Sequence, residues 1–165
     1  CYNRFQLEPN FERFAGLAEK NGFPFSYAIF DIDHFKEVND THGHLGGDQA
    51  LRGIAEIVQA RLDRRHIFIR YGGDEFILLS LHHDLAQMAM FCETLRAAIE
   101  ATMGGITMSF GVSTWHGAGD SMHSLMERAD RALYCSKEKG RNSVSTEGEA
   151  ACCATCANAN AEHHR

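Results

Sequence analysis

Ile67-Phe68-Ile69-Arg70-Tyr71-Gly72-Gly73-Asp74-Glu75-Phe76-Ile77-Leu78-Leu79-Ser80-Leu81 is the stretch on which the fold of this chain turns. Two apolar, aromatic and β-branched runs, 67–71 and 76–81, flank four residues that begin with a Gly-Gly pair. Glycines accept positive φ without strain, so the pair predicts a tight hairpin turn. A central hairpin makes its two strands antiparallel, which argues against a doubly wound parallel sheet.

Outward from the hairpin, residues 25–30 read as a buried strand running into Asp31-Ile32-Asp33, and 107–113 as another. Helical spacing marks 10–21 (Phe11, Phe14, Ala15, Ala18), with Gly22 and Pro24 as breakers. It marks a second helix through Leu51, Ile54, Ala55, Val58 and Leu62, after a polar, Gly-rich connection. A third covers 84–102 and a fourth carries Leu125, Ala129, Ala132 and Leu133, ending before Gly140. The expected fold class is α+β: one central, mainly antiparallel sheet covered by helices. The expected domain spans 1–144. The Ala-, Cys- and Asn-rich stretch 145–165 is expected to be a disordered or extraneous tail.

The 165 residues suffice for one domain with a real core. Twenty-two acidic against 16 basic side chains give a net charge of −6, which excludes a surface built to coat a nucleic-acid polymer. A polyanionic ligand would have to be held by a few placed cations. No apolar run is long enough to span a bilayer and no secretory leader opens the chain, so a cytoplasmic location without membrane contact is expected. Of six cysteines, Cys92 and Cys135 fall on helical patterns and read as buried free thiols in a reduced protein. A metal or redox reading built on Cys153, Cys156, His163 and His164 lacks the second paired motif of a zinc ribbon.

The chemistry-bearing residues gather where strands end. Asp31 and Asp33 leave one strand and Asp74 and Glu75 lie in the hairpin turn. If those strands are neighbours, the carboxylates converge as a minimal cage for Mg²⁺, whose other ligands are water and substrate phosphate. After Asp33, successive backbone N–H groups and Lys36 offer an anion site. Asn39 can donate and accept at once, which suits a nucleobase edge. Asp48 either caps the following helix or accepts from the N1–H and 2-amino groups of guanine; spacing leaves both open. Lys137 and Arg141 either complement a helix C-terminus or serve as phosphate cations.

Together these motifs resemble the GGDEF family of diguanylate cyclases. Gly72–Phe76 spells the signature after Arg70-Tyr71. Asp-Ile-Asp-x-Phe-Lys-x-x-Asn-Asp (31–40), Gly-His-x-x-Gly-Asp (43–48), Ser-Phe-Gly-Val (109–112) and Lys-x-x-Gly-Arg-Asn (137–142) follow in family order and spacing. The resemblance implies a fold similar to nucleotidyl cyclases and polymerase palms, with a ferredoxin-like core. It implies two copies facing each other, each holding one GTP, that form cyclic di-GMP and two pyrophosphates. By position, Asp31, the Ile32 carbonyl and Asp74 would hold Mg²⁺, or Mn²⁺ in its place. Asp74 would also accept the proton, and Lys36 would stabilise charge in the transition state. His34, Phe35, Lys36, Lys137 and Arg141 would meet phosphates; Asn39 and Asp48 would read guanine; His44, Leu51, Gly72 and Gly73 would border the nucleotide. A catalytically silent GTP-binding module is the rival implication. Two departures stand out. The usual Asp-x-Leu-Thr-Gly-Leu stretch before Tyr2-Asn3-Arg4 is missing, as though the chain began inside that motif. The Arg-x-x-Asp of the family's product-inhibition site is replaced by Asp63-Arg64-Arg65-His66, so that site is expected to be lost.

Overall fold

The computed structural model describes residues 2–152. Strands β1 (Tyr2–Asn3), β2 (Phe25–Ile32), β3 (His66–Arg70), β4 (Glu75–Leu81), β5 (Met108–Thr114) and β6 (Val144–Thr146) form one sheet in the order β1-β3-β4-β2-β5-β6. A 3₁₀ turn (Arg4–Gln6) and helices α1 (Leu7–Asn21), α2 (Phe35–Gln59), α3 (Leu85–Thr102), α4 (Met122–Glu138) and α5 (Glu147–Cys152) complete the regular elements of the described residues. The four inner strands pair antiparallel throughout; only the short edge strands β1 and β6 run parallel to their neighbours. The segment β2-α2-β3-β4-α3-β5 is thus a split βαβ arrangement with β2 at the centre.

Every residue of β2 is buried, because both sheet faces are covered. Tyr27 and Ile29 pack with Phe11, Phe14 and Ala18 of α1 and Leu125, Ala129 and Leu133 of α4. Ala28, Phe30 and Ile32 face the other way, onto Leu51, Ile54 and Val58 of α2 and Met88, Cys92 and Leu95 of α3. Phe30 stacks against Phe68, Phe76 and Phe110 there, an aromatic row across four strands. Helix α3 opens with a complete capping box, Asp84 with Gln87.

Four expectations need correction. The hairpin is closed by a four-residue loop, with the Tyr71 and Gly72 N–H groups both donating to the Glu75 carbonyl. Neither Gly72 nor Gly73 adopts positive φ. A longer loop does not need the mirror-image turn for which a Gly-Gly pair is suited. The polar, Gly-rich connection is itself helical: α2 begins at Phe35 and kinks at Gly43 (φ 70°, ψ 173°). Its first arm is mostly solvent-facing, so it carries no apolar period to read. The boundary at 144 falls inside β6, and residues 145–151 belong to the fold. Glu147 accepts from Arg128 and from the Thr114 N–H, while Ser145 and Ala150 are buried. Polar anchoring of this kind leaves no hydrophobic pattern. Finally, Cys92 is a buried free thiol, whereas Cys135, packed with Ala132 and Ala150, is disulfide-bonded. Residues 153–165, with the cysteine and histidine candidates there, lie outside the described residues.

Candidate active site

The register explains why the carboxylates converge. Asp31 sits opposite Glu75 across the β2–β4 pair, and one residue further along the hairpin comes Asp74. Alternation puts Asp31 and Glu75 on the α4 side of the sheet, where Lys137 from the last turn of α4 donates to Asp31 Oδ2. The other oxygen, Asp31 Oδ1, is buried and has no hydrogen-bond partner. Burial pushes the Asp31 carboxyl above its ordinary value; Lys137 opposes this, and the Asp74 and Asp33 charges reinforce it.

Asp33, two residues on, is engaged otherwise. Ser109 Oγ donates to its Oδ1 at 2.7 Å; Thr107 Oγ1 (2.7 Å) and the Asn142 N–H (2.9 Å) donate to its Oδ2. It pins the end of β2 to β5 and to the loop after α4. Arg141 and Asn142 in that loop hold positive φ (66° and 46°), a strained backbone that needs such anchoring. Asn142 is held further by Arg96 and Glu100 of α3.

A cleft of about 510 Å³ opens over this region. Its lining brings together Asp31, Ile32, His34, Phe35, Lys36, Asn39, His44, Asp74, Lys137 and Arg141, with Asp33 and Asp40. His34 takes a left-handed conformation (φ 56°) and starts α2, so the N–H groups of Phe35 and Lys36 have no preceding helical turn to bond. Both residues line the cleft, and a helix N-terminus placed there suits phosphate. Asp48, Leu51, Gly72 and Gly73 are not among the lining residues. Leu51 is buried in the core beside α3. Asp48 is exposed within the second arm of α2, four residues after the helix resumes, so it is no N-cap.

The donor set fits a hard divalent cation. A buried carboxylate oxygen without a partner, a second carboxylate in the same cleft and a backbone carbonyl at Ile32 are all oxygen donors. Among the described residues no group of three His, Cys, Asp or Glu side chains is placed to hold an ion. A hard cation bound here through one or two carboxylates would complete its shell with water and substrate phosphate. Glu75 was visible in the sequence, but its in-register place opposite Asp31 needed the pairing to be seen.

The family profile described as "Diguanylate cyclase, GGDEF domain" matches residues 1–143. This chain belongs to the GGDEF diguanylate cyclase family. It is 43% identical over 129 residues to diguanylate cyclase VdcA of Vibrio cholerae, covering 72% of this chain and 38% of that protein. It is 33% identical over 152 residues to the response regulator PleD of Caulobacter vibrioides, covering 87% and 34%. The chain thus spans little more than a third of the length of these curated relatives. Among solved structures, the fold matches the GGDEF domain of DgcB from Caulobacter crescentus in complex with c-di-GMP. The TM-score is 0.83 and the identity 35%, over 88% of this chain and 91% of that one. The active GGEEF domain of a diguanylate cyclase from Vibrio cholerae matches with a TM-score of 0.82 at 29% identity, over 88% and 97%. The GGDEF signature itself is the loop that carries Asp74 and Glu75 to the end of β2. At the opposite end of the hairpin strands, Asp63 is held by Arg65 and His66. No described helix is long and apolar enough to cross a membrane.

Proposed function

We propose that this chain is an active diguanylate cyclase domain that joins two GTP into cyclic di-GMP with release of two pyrophosphates. One observation carries the reading: a buried, unpartnered Asp31 oxygen shares a cleft with Asp74, between a helix N-terminus and the cations Lys137 and Arg141. That arrangement suits a metal-bound triphosphate, and phosphoryl transfer asks mainly for positioning and charge neutralisation.

Asp31, Asp74 and the Ile32 carbonyl would hold Mg²⁺, which when bound neutralises phosphate charge and orients the α-phosphate. The Phe35 and Lys36 N–H groups, with His34 before them, and the side chains of Lys36, Lys137 and Arg141 would bind phosphate oxygens. Lys137 would exchange Asp31 for phosphate as the cation takes its place. Asn39 and Asp48 would pair with guanine. In each of two transfers, the 3′-hydroxyl oxygen of one GTP attacks the α-phosphorus of the other. The bond to the bridging oxygen of pyrophosphate breaks as the new P–O bond forms. Asp74 accepts the hydroxyl proton, and Lys36 balances the charge that builds on the phosphoryl oxygens.

A cleft of this size accommodates one nucleotide, whereas the product contains two. Catalysis therefore requires two copies, cleft to cleft, in keeping with a cytoplasmic signalling domain brought together by neighbouring segments. Initial rate against protein concentration at saturating GTP tests this. Specific activity rises with concentration on the half-site reading, and ATP is incorporated far more slowly than GTP. A strictly proportional rate from a protein that remains monomeric would refute it. A silent module would bind GTP and release no dinucleotide at any concentration.

A further inference from the structure

The kink at Gly43 folds the two arms of α2 towards each other, so that Gly47 of the second arm faces Asn39 of the first. A Cβ on Gly47 would lie 2.0 Å from Asn39 Oδ1, 3.0 Å from Asn39 Cγ and 3.2 Å from Phe35 Cζ. Gly47 is buried and does not adopt positive φ, so its backbone does not demand glycine. Helix propensity argues for alanine there instead. What glycine provides is space, and the space is filled by the Asn39 side-chain amide.

We infer that Gly47 is a positioning residue for nucleobase recognition: its missing side chain fixes where the Asn39 amide sits in the cleft. This rests on the reading of the cleft as a GTP site. Asn39 lines the cleft, and its amide both donates and accepts, so its orientation decides which base edge it can pair with. The atom in the way of a methyl group at position 47 is the far end of a side chain rather than backbone. The fold can therefore accommodate the methyl group by rotating Asn39 out of place. The substitution separates stability from recognition: the helix gains a better former while the cleft loses an aligned amide.

The test is a cycle of Gly47→Ala, Asn39→Ala and the double variant. Affinity for a GTP analogue with a methylene α–β bridge is measured by calorimetry with Mg²⁺, alongside thermal melting and steady-state kinetics with GTP. Gly47→Ala is expected to melt no lower than the parent and to bind the analogue roughly ten-fold more weakly, the effect of one lost hydrogen bond. KM for GTP rises by a similar factor, with kcat at saturation little changed. In the Asn39→Ala background the Gly47→Ala change should weaken binding no further. Unaltered affinity in Gly47→Ala, or full additivity in the double variant, overturns the inference while leaving the GTP site intact. A drop in melting temperature that Asn39→Ala restores supports the contact, and one that it does not restore overturns it. Absence of analogue binding by the parent protein removes the GTP reading and this inference together.

Discussion

Replacing Gly111 by alanine tests whether the contact between α4 and the sheet sets the site. Gly111 lies in β5 opposite Ile29 of the central strand, on the face covered by α4. An added Cβ would stand 2.1 Å from the Ala129 carbonyl oxygen, 2.3 Å from the Leu133 nitrogen and 2.8 Å from Leu133 Cα. All three are backbone atoms, so no side-chain rotation relieves the clash. Bringing the oxygen out to 3.4 Å, the near edge of ordinary contact, needs about 1.3 Å of retreat by α4. Overpacking a core commonly costs about 1–3 kcal/mol, and a clash with helix backbone belongs at about 3 kcal/mol. In a domain of this size that lowers the melting temperature by roughly 6–12 °C. Lys137 follows Leu133 by one helical turn, so the same retreat draws its ammonium away from Asp31. Misplacement of about 1 Å can cost on the order of 100-fold in rate. Guanidinium unfolding followed by circular dichroism, with GTP turnover measured where the variant is still folded, reads both effects. A stability change within about 0.5 kcal/mol would refute the close-approach argument.

Asp33→Ala leaves the buried Ser109 hydroxyl, the Thr107 hydroxyl and the Asn142 N–H without an acceptor, and should cost about 3 kcal/mol in urea unfolding. A smaller loss with full activity would show that the Arg141 loop is held by other means. Burial lowers the pKa of His66 below its ordinary 6.5; its neighbours Asp63 and Arg65 in the preceding turn and His83 after β4 also act on it. The folded state then binds fewer protons than the unfolded one, so the stability tied to this neutral histidine is full above about pH 6.5 and lost as pH falls through the folded pKa. His83, lowered by its own burial, adds in the same direction. Urea midpoints between pH 7.5 and pH 5 should fall on acidification, less so in His66→Gln; an equal fall in both would remove His66 from the account. If the resemblance is right that an arginine at this position would fork onto product, then Asp63 there, already engaged with Arg65, predicts that added cyclic di-GMP causes little non-competitive inhibition. Strong inhibition at low micromolar product would place an arginine contact elsewhere on the surface.

The sheet and its hairpin were legible because buried strands declare themselves as apolar runs: β2, β3, β4 and β5 lie within a residue or two of their expected places. The first arm of α2 was not legible, since it presents Lys36, Asn39 and Asp40 to the cleft and therefore buries no stripe. Glu147 was missed for a related reason: it is fixed by Arg128 and a backbone N–H, a polar tether that no periodicity records. Asp31 and Asp33 look equivalent in sequence. Only the register reveals that one keeps an unpartnered oxygen in the cleft while the other spends its acceptors on Thr107, Ser109 and Asn142. Leu51 shows the converse, a residue expected beside the nucleotide that the helical face turns into the core.

The most direct measurement incubates the purified chain with GTP and Mg²⁺ and quantifies nucleotide products and pyrophosphate by chromatography, beside Asp74→Ala. Asp74 is a half-exposed loop residue, so the variant should melt like the parent while losing a carboxylate proposed both as a metal ligand and as the proton acceptor. Two pyrophosphates are expected for each cyclic di-GMP formed by the parent, and no detectable product from the folded variant. Cyclic di-GMP formed at the parental rate by Asp74→Ala, or GTP bound and left unconsumed by the parent at every protein concentration, would contradict it.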